Sequence, residues 1–232
     1  MKTSFLSELL DLISPRQCEV CNNRLAPDEP LLCASCMKEL PVTPFRETPY
    51  DNDMARHFWG QFPIEKASAW VFFNSHSYIS SLVYNPKYHG KREQGEIIGE
   101  LMAQYHQPFH FFDDIDVIIP LPISTKRSWQ RGYNQSNLLA RGISLVTGIT
   151  VDNEVVRRKT FAKSQTHLSP TERRENVKDA FQLINEERIK GKHLLLIDDV
   201  VTTGATIIAC AQELAKAEGV RISVLSVGFT KE

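Results

Sequence analysis

The chain has 232 residues, with 27 Lys or Arg against 28 Asp or Glu and 42 % hydrophobic residues, enough for one α/β domain and a small appendage. Mean hydropathy is −0.27 and no apolar run approaches the ~20 residues that cross a bilayer, so the composition predicts no membrane-spanning helix. The net charge of −1 hides an asymmetry: residues 126–176 hold ten Lys or Arg and four Asp or Glu, a local balance of +6. A basic segment in a slightly acidic chain suits a polyphosphate or single-stranded nucleic acid, the alternative being a solvated helix surface.

Residues 1–14 place Phe5, Leu6, Leu9, Leu10, Leu12 and Ile13 at helical spacing, interrupted by Glu8 and Asp11. This predicts a short amphipathic helix, not a signal peptide, and hence a cytoplasmic protein. Cys18, Cys21, Cys33 and Cys36 form C-x2-C-x11-C-x2-C, which puts four thiolates where one tetrahedral zinc takes all of them. Nothing marks the chain as secreted, against disulfides, and redox chemistry needs only one such pair. Four protein ligands leave no open coordination position, so the expected zinc is structural. Residues 1–44 thus read as a helix plus a zinc-ribbon module. Cys210, among Ile207, Ile208 and Leu214, reads as a buried core thiol.

Pro41, Pro44 and Pro49 begin a linker-like segment, residues 45–112. Within it, 67–73 reads as a strand, 78–88 is ambiguous and 95–107 is helical by periodicity. Residues 113–232 alternate more regularly: strand 116–120, helix 134–147, strand 154–158, strand 194–197, helix 206–217 and strand 221–229. A polar stretch reaches Glu175, with Ser169, Pro170 and Glu172 as a helix start. Strands alternating with helices predict an α/β fold, a parallel sheet covered on both faces.

The sharpest signal is 194–206. An apolar strand delivers Asp198 and Asp199 to its carboxyl end, where open α/β sheets hold ligands. Paired carboxylates there accept hydrogen bonds from the diol of a ribose or from water on Mg²⁺. The loop Val201, Thr202, Thr203, Gly204, Ala205 and Thr206 then offers hydroxyls, a glycine that turns N–H groups inward, and a helix N-terminus. That set holds a phosphate dianion without a lysine. Neither G-x-x-x-x-G-K-[ST] nor G-x-G-x-x-G follows a strand.

These thirteen residues resemble the phosphoribosylpyrophosphate signature of type I phosphoribosyltransferases. The resemblance implies that Asp198 and Asp199 bind ribose hydroxyls and that the loop from Val201 to Thr206 binds the 5-phosphate. The stretch Pro120 to Gln135, with Lys126, Arg127 and Arg131, lies where such enzymes keep a pyrophosphate loop; a solvated helix entry is the alternative. Arg157, Arg158, Lys159 and Thr160 through Gln165, Leu168, Arg173 and Asn176 look like a mobile catalytic loop and its return. On that reading Arg158 contacts ligand and Lys159 is catalytic; otherwise both flank a loop, and Arg173 and Asn176 are helix surface and cap. With the cysteine knuckles, the chain resembles the competence protein F family from Cys18 to Phe229. The resemblance implies a type I phosphoribosyltransferase-like fold, phosphoribosylpyrophosphate with Mg²⁺, and 45–112 as a possible base hood. The family name also implies a second class of function, a single-stranded DNA accessory role with DNA-uptake or recombination proteins as partners.

Overall fold

The computed structural model describes residues 15–74, 80–83, 92–123, 132–159 and 180–230. The amino-terminal helix, most of 78–88, the helix start at Ser169, and Arg173 and Asn176 lie outside the described residues, as do Lys126, Arg127 and Arg131.

The sheet has five parallel strands, β1 (Ile64–Phe72), β2 (Val117–Pro120), β3 (Thr150–Val151), β6 (His193–Val201) and β7 (Arg221–Phe229), in the order β1-β7-β6-β2-β3. β4 (Val156–Arg158) and β5 (Phe181–Leu183) make a separate antiparallel pair. β6 is central because its apolar run serves two cores at once. Leu194 and Leu196 join the cluster on one face, and Leu195 and Ile197 join the cluster on the other, as the period of two in a strand requires. Strand β6 extends beyond the predicted 194–197 because its ladder with β7 continues, pairing Asp198 with Ser226 and Val201 with Phe229.

Helices cover both faces. One face carries α2 (Asp53–Phe58), α5 (Ala205–Leu214) and the β4–β5 pair. The other carries α3 (Arg92–His106) and α4 (Gln135–Thr147), which approach closely: a Cβ on Gly99 would lie 2.2 Å from Leu139 O, and one on Gly142 1.9 Å from Glu96 O. Glycine at both positions is therefore what lets the two backbones meet. Residues 45–112, read as a linker, supply α2, α3 and edge strand β1, which pairs along its length with β7.

The cysteine module, with α1 (Ala34–Lys38), packs on the α3–α4 face. Cys18, Leu25, Leu31, Leu32, Cys36 and Leu40 share one apolar cluster with Trp70, Ile98 and Met102.

Candidate functional site

Strand β6 carries the chain through Asp198 and Asp199 to Val201, and α5 starts four residues later at Ala205. Between them Thr202 and Thr203 are exposed. Gly204 caps the helix in the left-handed region, φ 67°, where a side chain is strained. Space excludes one as well, since a Cβ there would lie 2.7 Å from Phe58 Cε1. Gly204 uses no side chain to cap α5, and the first-turn N–H groups of a helix have no partners inside it. Those N–H groups and the positive end of the dipole therefore meet the two threonines at one point.

The two carboxylates are oriented by short local bonds. Asp199 N–H donates to Asp198 Oδ1 at 2.8 Å and Val200 N–H donates to Asp199 Oδ1 at 2.7 Å. The hydroxyl of Ser136, buried in the first turn of α4, donates to Asp198 Oδ1 at 3.5 Å. Asn134 caps that helix, accepting from Ser136 N–H and donating to Leu121 O at 3.0 Å. Two helices thus begin at the carboxyl ends of adjacent strands β2 and β6, a place where open α/β sheets bind ligands. Ser136 and Phe58 belong to the site although sequence reasoning did not single them out. The helix start at Asn134 was legible, but the contact across 62 residues was not.

Arg158 and Lys159 lie on or next to the β4–β5 pair beside α5 rather than on the loop. The Arg158 guanidinium is 5.4 Å from the Phe181 ring centre, Lys159 N–H donates to Ala180 O at 2.8 Å, and Leu183 N–H donates to Glu213 of α5 at 3.1 Å. These two strands flank residues 160–179, the segment resembling a mobile loop. Cys210 is fully buried in α5 and its thiol is pushed up by burial, as expected of a core residue.

The other cluster is the four cysteines. Their sulfurs all lie within 4.8 Å of one another, with Cys21 and Cys33 3.6 Å apart. A tetrahedral zinc with Zn–S of about 2.3 Å needs sulfurs about 3.8 Å apart, so the arrangement fits one ion. Asn22 turns the first knuckle in the left-handed region, φ 60°, and Cys33 N–H donates to Cys18 Sγ at 3.4 Å. Burial raises the Cys18 thiol, but backbone N–H groups of Cys21, Cys33 and Val20 outweigh it and bring it down to about 7. Burial pushes the Cys36 thiol upward. Four thiolates this close repel unless a dication sits among them, so the donor set can bind zinc.

Among the described residues, no helix is long and apolar enough to cross a membrane.

Residues 88–227, more than half of the chain, match the family described as phosphoribosyl transferase domain. The DNA utilization protein YhgH of Salmonella typhi is 37 % identical over 109 residues, 47 % of each chain. Competence protein F of Haemophilus influenzae is 37 % identical over 102 residues, 44 % of each chain. The matched part therefore spans about half the length of these relatives. A glutamine phosphoribosylpyrophosphate amidotransferase from B. subtilis aligns with 57 % of this chain and 26 % of its own at 18 % identity and TM-score 0.40, a similarity that bears on no residue here. The chain belongs to the phosphoribosyl transferase domain family and is similar, within it, to competence protein F.

Proposed function

We propose that the chain binds 5-phosphoribosyl-1-pyrophosphate with Mg²⁺ at the carboxyl end of β6 and acts there as a phosphoribosyltransferase-like protein. One observation carries the reading: Asp198, Asp199, Thr202, Thr203 and the first turn of α5 converge where a central buried strand ends. The 5-phosphate takes the threonine hydroxyls and the N–H groups of 204–206. The ribose hydroxyls donate to the Asp198 and Asp199 carboxylates, which the amides of Asp199 and Val200 hold in place. In the transfer, a bond from the acceptor nucleophile to the anomeric carbon forms as the bond to pyrophosphate breaks, positive charge grows on the ribose ring, and the electron pair leaves with pyrophosphate. Bound Mg²⁺ supplies charge neutralisation of the leaving pyrophosphate. Lys126, Arg127, Arg131 and Arg158 add cationic partners for that group, and Lys159, next to β4, is the catalytic cation. Zinc at Cys18, Cys21, Cys33 and Cys36 is structural.

The test is calorimetry with phosphoribosylpyrophosphate and with ribose 5-phosphate. Thr203→Val is expected to weaken both by tenfold or more, since both carry the 5-phosphate; a lost hydrogen bond to a charged group costs about 1.5–3 kcal/mol. Arg131→Ala is expected to weaken the pyrophosphorylated sugar selectively. Unchanged affinity in Thr203→Val contradicts the phosphate assignment, and equal weakening of both ligands in Arg131→Ala removes Arg131 from the pyrophosphate. A second reading, single-stranded DNA on the same loop, has the relatives' names and the +6 segment in its favour. Short single strands that compete with phosphoribosylpyrophosphate would support it, and independent binding would exclude a shared site.

A further inference from the structure

A second cleft lies at the outer edge of the sheet, far from the loop. Residues 41–49 run antiparallel beside β1: Phe72 N–H donates to Pro41 O, Thr43 N–H to Trp70 O and Ala67 N–H to Pro49 O. Arg46, which ends the 3-10 turn Pro44–Arg46, points its guanidinium between two rings, 3.8 Å from the Tyr105 centre and 4.2 Å from that of Phe109. Its Nη1 donates to Tyr105 O at 3.1 Å, while its buried Nε has no acceptor. Lys66, only 4 % exposed, donates from Nζ to Phe111 O at 3.2 Å and Asp113 O at 3.0 Å, and stands 5.8 Å from the Tyr50 ring centre.

Arg46 and Lys66 line one cavity of about 520 Å³ with Tyr50 and Phe109, residues that are 60 % and 38 % exposed. Among the described residues neither cation has a carboxylate within ion-pair distance. Of the acids on the same wall, Asp51 is held by Arg56 at 2.8 Å and Glu47 faces the cavity, while Asp113, Asp114 and Glu65 act on Lys66 from beyond ion-pair distance. The buried Nε of Arg46 lacks an acceptor, which is costly unless a ligand supplies one. One fixed guanidinium plane and exposed aromatic residues favour a planar partner. Lys66 lies near the Ile64–Ile222 end of the β1–β7 ladder, and the phosphate loop follows Val201, which pairs with Phe229. Six strand residues at 3.3 Å each separate the two places by roughly 20 Å.

We infer that this cleft is a second ligand site, for a small anion carrying an aromatic ring, of the size and charge of a nucleoside 5′-monophosphate. Its volume lies in the range of small-molecule sites. The phosphate meets Arg46 and Lys66, and the base lies along Tyr50. Because the site is remote from the loop, its test is separable from that of the proposed function. The experiment is titration of the full chain with adenosine and uridine 5′-monophosphates, with inorganic phosphate and adenosine as half-ligand controls. In Thr203→Val, which weakens any 5-phosphate held by the loop, one equivalent of monophosphate is still expected to bind at this cleft with wild-type affinity. Tyr50→Ala, a change at an exposed side chain, is expected to weaken binding at least fivefold, and Arg46→Gln at least tenfold. Adenosine and phosphate alone are expected to bind at least tenfold more weakly than the monophosphate. Unchanged affinity in Tyr50→Ala overturns the assignment, as does loss of all monophosphate binding in Thr203→Val, which would put the nucleotide in the phosphate loop.

Discussion

Single residues carry the clearest consequences. Cys18 is a prospective zinc ligand and also part of the apolar cluster shared with Trp70, Ile98 and Met102. Cys18→Ser is expected to release one zinc and to lower stability by on the order of 3 kcal/mol, roughly 10 °C in melting temperature for a chain of this size. Metal analysis and a thermal melt check both; a Cys18→Ser protein that keeps its zinc contradicts the ligand set. His106 offers a pH test. Its Nδ1–H donates to Met102 O at 2.8 Å, which leaves Nε2 to accept from the Ser68 hydroxyl at 2.9 Å. Burial, with a smaller push from Arg46, lowers its pKa to about 4 against the opposing effect of the Met102 carbonyl. Unfolded histidine titrates near 6.5, so the neutral ring's contribution is complete above that pH and declines as pH falls toward 4. Roughly 2–3 kcal/mol of stability is expected to go between pH 7.5 and pH 4.5 from this residue. Urea unfolding of wild type and His106→Gln at the two pH values measures the difference. Equal pH dependence in the two proteins contradicts the buried neutral histidine. Neither His106 nor His193 showed in the sequence as a core residue, because the hydroxyls that bond their Nε2 atoms, those of Ser68 and Ser223, are distant along the chain.

At the scale of elements, the α3–α4 contact depends on the absence of side chains. Gly142→Ala would place a methyl 1.9 Å from Glu96 O, backbone that cannot turn aside, so a loss of about 1–3 kcal/mol is expected, as for overpacked cores. Chemical denaturation reads it directly, and an unchanged midpoint would mean that the helices separate freely. The strand–loop–helix from Leu194 to Thr206 was legible because every residue that makes it is contiguous, and residue type alone fixes the turn. β1 was legible only from residue 67 onward. Its first turn of sequence contains Glu65 and Lys66, and Lys66 is buried only because the carbonyls of Phe111 and Asp113 receive its ammonium. No local pattern announces such a partner. Helix α3 likewise begins at Arg92, ahead of the predicted start, since its first turn of Arg92, Glu93 and Gln94 is polar and carries no apolar period.

For the whole molecule, the fold class followed from alternating strands and helices, whereas strand order did not, because parallel neighbours are joined through distant chain. The edge position of β1 and the β4–β5 pair around residues 160–179 emerged only from the assembled sheet. So did the seating of the cysteine module on the α3–α4 face, which ties its stability to that of the core. The central claim is that the carboxyl end of β6 holds phosphoribosylpyrophosphate through Asp198 and Asp199. Its most direct test is the Mg²⁺-dependent affinity of wild type and the double variant Asp198→Asn, Asp199→Asn in one buffer. Each amide is neutral and brings donors where the ribose hydroxyls need acceptors, and each charge-assisted bond lost costs about 1.5–3 kcal/mol. A loss of a hundredfold or more, with the fold intact by circular dichroism, is expected; wild-type affinity in the double variant would place the ribose elsewhere.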